Sequence, residues 1–215
     1  LDLRQAREMF VNNVTFLAGL RAHIIYTIPI FLFHSPDAGI FKHHFDAVVC
    51  LPIIEVTAAN GGIAAGFEIM KALILDRIDE GMIEDKALEL LIEKTGGVPR
   101  HVFEVLHEAA LMNDAVVPLK KEQIQYGLDQ LRKEFWNQVS LPLEPLPNGP
   151  SKPEELYDRL AEYARRQRSG ETIVPQTDAI NQLLLKSCAL VEYNGKGRLG
   201  VHPLVVENLK ELGRI

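Results

Sequence analysis

The chain has 215 residues, of which 47% are hydrophobic and 24% are charged, and its formal net charge is −6. This composition is sufficient for a buried core, and the negative charge argues against a protein that coats nucleic acid over its whole surface. The two cysteines, Cys50 and Cys188, do not have the C-x-x-C spacing. We therefore expect neither a disulfide framework nor a zinc site, and a reducing, cytoplasmic location fits.

The first part of the chain predicts one helix followed by two buried strands. Apolar residues recur at helical spacing over residues 2–20. The runs HIIYTIPIFLF (23–33) and FDAVVCLPIIEV (45–56) are rich in β-branched and aromatic residues and do not alternate with polar ones. This pattern is typical of parallel strands that are covered on both faces. Each strand is expected to end near its proline, Pro29 or Pro52, because proline cannot donate to a central ladder.

Beyond the NGG at residues 60–62, the pattern predicts only helices up to a proline-rich linker. The predicted helices cover 66–80, 84–94, 99–112 and 120–138. Gly96 and Gly97 are candidates to end the second of them, and Pro99 suits the first position of the third. Four prolines within residues 141–150 indicate the linker.

The remainder predicts helices around a β-hairpin. The helices are expected over 152–168, about 176–187 and about 203–212, and the strands ALVEY (189–193) and RLGVH (198–202) flank the turn NGKG. From residue 151 onward the chain has 10 basic and 9 acidic residues, whereas the first 150 have 13 and 20. The C-terminal part is therefore where contact with a polyanion is most plausible.

Three pieces of the chain occur in an order that resembles the C-terminal half of an AAA+-type P-loop ATPase. They are the apolar runs, the helices containing "TGGVPRH" and the final "CALVEYNGKGRLGVHPLV". The resemblance is to the branch shared by replication initiators and STAND signalling ATPases. It implies a mainly α fold with some β. The expected parts are a partial αβα core (1–62), a helical lid (63–140), a linker (141–151) and a winged-helix-like domain (152–215).

The sequence departs from that family in a large way. It contains no G-x-x-x-x-G-K-[ST] motif and no apolar strand that ends in paired acidic residues. The chain opens on LDLRQAREMF, within a helical pattern and without a Met. We therefore expect that it continues a longer protein and starts just after the Walker B strand. ATP and Mg²⁺ would bind the preceding core, and this chain alone would be inactive.

Arg100 is the leading candidate for a nucleotide-binding residue. If Pro99 begins a helix, Arg100 lies in its first turn, where unpaired N–H groups and the helix dipole favour anions. In the resembling families the matching arginine is the second sensor, which reaches the γ-phosphate from the lid. Without the family pattern, a solvated surface arginine is the simpler interpretation.

Two further residues have family roles that compete with simpler interpretations. Thr27 matches the first sensor near the end of a core strand, although threonine is also an ordinary strand residue. Arg77 is a conceivable arginine finger. We expect instead that Arg77 pairs with Asp76, Asp79 or Glu80 on the lid surface.

The C-terminal hairpin raises the possibility of DNA binding. Lys196 and Arg198 lie at its tip, as in a wing that reaches DNA, and Lys186 is the one lysine of the preceding helix. Because this helix is barely basic, contact with a protein partner or self-association is favoured over a weak contact with nucleic acid. A non-enzymatic winged-helix DNA-binding module is the alternative.

The seven histidines do not form a metal site by their spacing. His43 and His44 are adjacent and diverge, and His101 and His107 miss the i, i+4 face of a helix. His202 precedes Pro203 and is expected to close the last strand. We expect structural or solvated roles for all of them, and no metal. The longest apolar stretch, 23–33, is too short to cross a bilayer, so no membrane contact is expected.

Overall fold

A computed structural model describes residues 2–58, 62–79, 81–112, 116–142, 145–193 and 197–215. Within these ranges the chain is mainly helical, with eleven α-helices and one two-stranded sheet. The expectation of a mainly α fold with some β is therefore confirmed. None of the described helices is long and apolar enough to cross a membrane.

The N-terminal segment, which we define as residues 2–58, begins with the predicted helix, in three pieces. They are α1 (Leu3–Arg7), a π-helical turn (Glu8–Asn12) and α2 (Val14–Ala18). Asp2 starts α1 with a capping box, because its carboxylate accepts from Gln5 N at 2.7 Å and the Gln5 side chain accepts from Asp2 N at 3.2 Å. The short helices α3 (Ile30–Phe33) and α4 (Ala38–His44) follow.

The prediction of two buried strands in this segment is wrong. Residues 23–29 have no regular structure, and the rest of that run is α3, which Pro29 caps. Over 45–56 the only strand-like feature is a bridge of Ile53 with Tyr193. A central strand needs hydrogen-bonded neighbours on both sides, and residues 2–58 contain no parallel sheet that would provide them. Ile25, Val49 and Leu51 are consequently 96%, 79% and 84% exposed.

The central helices form a bundle, as the apolar spacing predicted. They are α5 (Gly66–Leu75), α6 (Asp85–Lys94), α7 (Pro99–Leu111) and α8 (Lys121–Gln138). The helix α8 packs along α7 and also contacts α6. Ile92, Val102 and Ile124 are fully buried where these three helices meet. Truncating such a side chain to alanine costs about 2–5 kcal/mol, so this packing is a main source of stability.

The C-terminal unit, which we define as residues 153–215, has the predicted order of elements. They are α9 (Pro153–Arg168), α10 (Ala179–Lys186), β1 (Leu190–Tyr193), β2 (Arg198–Val201) and α11 (Pro203–Glu211). The strands pair antiparallel, with Leu190 opposite Val201. Inside the unit, Tyr163 is fully buried and its hydroxyl is hydrogen-bonded to the Asn181 side chain.

The C-terminal unit packs against both other parts of the chain. The helix α11 contacts α6 and α8, and α10 contacts α3 of the N-terminal segment. Lys94 of α6 forms an ion pair with Glu207 of α11 at 2.6 Å. One continuous hydrophobic core therefore includes residues from all three parts.

Candidate functional site

The sequence TGGVPRH forms the turn between α6 and α7. Gly96 and Gly97 have φ angles of +62° and +78°, in the left-handed region that favours glycine. This confirms the prediction that the two glycines end the preceding helix. Val98 is extended, Pro99 occupies the first position of α7, and Arg100 follows it.

Both glycines are also required by close contacts with other parts of the chain. A Cβ atom on Gly97 would lie 1.7 Å from the carbonyl oxygen of Ile54 in the N-terminal segment. A Cβ atom on Gly96 would lie 2.6 Å from Pro203 of the C-terminal unit. We call Thr95, Gly96 and Gly97 the junction turn, because the three parts of the chain meet there.

Polar side chains of the C-terminal unit bind the backbone of the junction turn. The Tyr193 hydroxyl donates to Gly96 O at 3.2 Å, and His202 Nε2 lies 3.1 Å from Thr95 O. His202 Nε2 is also 3.2 Å from Nδ1 of His101, in the first turn of α7. Both histidine rings pack against the ring of Phe135. The sequence predicted His202 at a strand end, but it gave no signal for these contacts between distant residues.

Burial keeps these histidine side chains neutral. It lowers the pKa of His101 to about 4, and the nearby charge of Arg100 acts in the same direction. Burial also lowers the pKa of His202 well below its ordinary value, with a smaller contribution from His101. The pair is therefore a structural element of the interior, as expected for these histidines.

Arg100 itself is accessible and only weakly paired. Its side chain is 63% exposed, and Nε lies 3.4 Å from the Glu104 carboxylate one turn along α7. A terminal guanidinium nitrogen lies 4.0 Å from Cys188 Sγ. An exposed pair of this kind contributes about 0–1 kcal/mol, so an incoming anion could displace Glu104. The guanidinium would then act together with the start of a 13-residue helix.

The face of α7 beside Arg100 is acidic. A hollow of about 170 Å³ between α7 and α8 is lined in part by Glu104, Glu108 and Glu134. Burial raises the pKa of Glu104, Arg100 opposes this shift, and Glu134 adds to it. An anion at Arg100 would consequently have to lie towards the junction turn, away from this hollow.

The other candidate residues are not assembled around Arg100. Thr27 is exposed in the irregular segment before α3, and no hydrogen bond or ion pair joins it to Arg100 among the described residues. Arg77 donates to Leu73 O at 2.9 Å and lies 5.7 Å from the Phe103 ring centroid. Its guanidinium forms no ion pair with Asp76 or Asp79 within the described ranges. Glu80, the third expected partner, lies outside these ranges.

The cations predicted at the hairpin have different surroundings. Arg198 forms a part-buried ion pair with Glu55 of the N-terminal segment and lies 5.4 Å from the Tyr193 ring centroid. Lys186 is exposed at the end of α10. Lys196 lies outside the described residues. Their role in partner contact stays a prediction, and for Arg198 it would require breaking the bond to Glu55.

A buried carboxylate fastens the N-terminal segment to the hairpin. Glu192 is 3% exposed, accepts a hydrogen bond from His34 Nε2, and accepts another from Gly197 N at 3.0 Å. Burial, reinforced by Glu192, raises the pKa of Cys50 to about 11, which keeps this thiol protonated at neutral pH. In the part of the chain that the structure describes, no group of three or more His, Cys, Asp and Glu residues could hold a metal ion.

The chain matches no protein-family model, no curated protein and no solved structure.

Proposed function

We propose that this chain is the C-terminal regulatory portion of an AAA+/STAND-like ATPase. In this proposal α5–α8 form the lid, the C-terminal unit is a winged helix, and residues 2–58 end the nucleotide-binding core. ATP and Mg²⁺ bind the preceding part of that core, and the protein is cytoplasmic. The supporting observation is that an accessible arginine begins a lid helix directly after the turn where all three parts meet.

Arg100 has the physical properties that the sensor role requires. A guanidinium is always charged and binds phosphate oxygens with two parallel hydrogen bonds. Its present partner, Glu104, is itself 44% exposed and is easily exchanged. Because Arg100 moves with α7, closure of the lid over a nucleotide would carry the charge towards the γ-phosphate.

The exposed apolar runs of the N-terminal segment fit the same proposal. Ile25, Val49 and Leu51 are β-branched or aliphatic residues of the type that a parallel sheet buries. Contact with the rest of a nucleotide-binding core would cover these side chains.

For the winged helix, we propose contact with a protein partner rather than with DNA. Affinity for duplex DNA depends on aligned cations that neutralise phosphates. Lys186 is exposed, whereas Arg198 already neutralises Glu55. A specific protein contact or self-association therefore suits this surface better.

The 215-residue chain should not hydrolyse ATP by itself. The phosphate-binding loop and the carboxylates that hold magnesium are not in its sequence, and Arg100 cannot replace them. A phosphate-release assay with MgATP on a purified sample checks this expectation. Magnesium-dependent turnover that co-purifies with the protein would refute the proposal that the phosphate-binding and magnesium-binding groups lie outside these 215 residues.

Duplex DNA should bind weakly and with a shallow salt dependence. We expect dissociation constants no tighter than about 10⁻⁵ M at moderate salt, which is within the range of non-specific binding. Fluorescence anisotropy with a mixed-sequence duplex at two salt concentrations measures this, with Lys186→Ala as the variant. Submicromolar binding that Lys186→Ala weakens would instead favour the DNA-binding module.

A further inference from the structure

The C-terminal unit holds the turn that leads into Arg100 through two buried hydrogen bonds. Tyr193 of β1 donates its hydroxyl proton to Gly96 O at 3.2 Å, and His202, directly after β2, bonds Thr95 O at 3.1 Å. Tyr193 is 9% exposed and His202 is fully buried. Water therefore has little access to replace either donor.

The direction of the His202 hydrogen bond follows from the rest of its ring. Leu204 N donates to His202 Nδ1 at 3.3 Å, so Nδ1 carries no proton in the neutral ring. The ring proton is then on Nε2, which donates to Thr95 O. His101 Nδ1, at 3.2 Å from the same Nε2, is left as an acceptor. Each of these roles is fixed by its neighbours.

Few degrees of freedom separate the junction turn from Arg100. Gly96 is in contact with Pro203, and Gly97 is in contact with Ile54. After the turn, Pro99 fixes its own φ angle and begins α7. The position of the turn therefore determines where α7 begins and where the Arg100 guanidinium is held.

We propose that Tyr193 and His202 are positioning residues for Arg100, so that a displacement of the C-terminal unit releases the junction turn and moves the arginine. A partner that binds the hairpin would act on Arg100 through Tyr193, without touching the nucleotide. The coupling between hairpin and turn is a property of this chain alone. The inference that this coupling regulates an ATPase rests on the function proposed above.

The test uses Tyr193→Phe, which keeps the ring and its contact with Arg198 and removes only the hydroxyl. The matched control is Tyr163→Phe, because Tyr163 is a fully buried tyrosine of the same unit whose hydroxyl bonds Asn181 instead of the turn. His202→Gln is a second variant, since its amide can still donate to Thr95 O. We expect it to retain more of the wild-type behaviour than His202→Ala.

Two measurements report the position of the turn. The amide hydrogen exchange rate of residues 98–104 reports how stably the start of α7 is held. The rate is corrected for the global unfolding free energy of each variant. The rate of thiol labelling at Cys188, measured in a Cys50→Ser background, reports the position of the Arg100 guanidinium, which lies 4.0 Å from Cys188 Sγ. Tyr193→Phe should raise the exchange rate about two- to tenfold, the effect of one lost hydrogen bond. Burial raises the pKa of Cys188 and the Arg100 charge opposes this shift, so displacement of Arg100 should lower the thiolate fraction and with it the labelling rate. Tyr163→Phe should leave both unchanged.

Unchanged rates in Tyr193→Phe, or equal changes in the Tyr163→Phe control, would overturn the inference, because Tyr193 would then contribute only general stability. A different result would refute the proposed function. A full-length protein that does not hydrolyse ATP would refute it and leave the coupling intact. Unchanged exchange in the variant would refute the coupling and leave ATP hydrolysis untouched.

Discussion

Replacing Gly97 by alanine should destabilise the protein by about 4 kcal/mol or more. The φ angle of +78° costs an L-residue about 1–2 kcal/mol. The added Cβ would also lie 1.7 Å from Ile54 O, which forces the N-terminal segment away from the turn. Chemical denaturation of Gly97→Ala and the wild type measures the difference in the free energy of unfolding.

Gly170→Ala is the matched control for this prediction. Gly170 has the same φ angle of +78°, but a Cβ atom there would meet nothing within 4 Å. It should therefore lose only the conformational cost, about 1–2 kcal/mol. Equal losses in the two variants would mean that contact between Gly97 and Ile54 is unimportant and that the junction turn is not a meeting point of the three parts.

Lowering the pH from 7 to 4 should destabilise the protein through the buried histidines. The folded-state pKa of His101 is depressed to about 4 from 6.5, so the unfolded chain binds the proton first. The stability that the neutral ring contributes is complete above about 6.5 and is lost as the pH falls towards 4. The shift corresponds to about 3 kcal/mol for His101. The lowered pKa of His202 acts in the same direction.

Replacing one histidine isolates this effect from the other acid-sensitive groups. In His101→Leu, the free energy of unfolding should depend less steeply on pH between 6.5 and 4. Val105→Ala, at a buried position of the same helix without a titratable group, should keep the wild-type slope. If both variants have the wild-type slope, protonation of the buried ring is not what destabilises the protein.

The helices could be predicted because their stability comes from a local pattern. Each predicted helix after residue 62 is present; most ends agree within three residues, whereas the helix predicted over 66–80 already ends at Leu75. Apolar spacing, Pro99 at a helix start and Gly96 and Gly97 at a helix end are signals within one or two turns of chain. The antiparallel pair of strands, Leu190–Tyr193 and Arg198–Val201, was predictable for the same reason, whereas residues 194–196 of the predicted turn NGKG lie outside the described residues.

The strands over 23–33 and 45–56 could not be predicted in the same way, because a strand depends on its neighbours. The residue types indicated a buried parallel sheet, yet in the described ranges the only pairing of either run is the single bridge between Ile53 and Tyr193 of β1. Without a partner strand along its length, the backbone gains nothing from an extended ladder, and Ile30 to Phe33 become a short helix instead.

For the candidate site, the sequence located the turn and its arginine but not what surrounds them. Tyr193 and His202 are distant from Thr95 in the chain, and a tyrosine in a strand and a histidine before a proline are ordinary residues there. Their role depends on the packing of the C-terminal unit against α6, which no local pattern specifies. Long-range hydrogen bonds of this kind require the tertiary structure.

The most direct test of the ATPase proposal is the effect of Arg100→Ala on MgATP hydrolysis by the ATPase in which the proposal places this chain. The control is Glu104→Gln, which removes the same ion pair and keeps the guanidinium. We predict that Arg100→Ala lowers turnover roughly 10- to 150-fold, as expected for a lost charge-assisted contact of about 1.5–3 kcal/mol, without a change in Tm. Glu104→Gln should retain turnover. Full turnover in Arg100→Ala, or no hydrolysis by the wild type, would contradict the proposal.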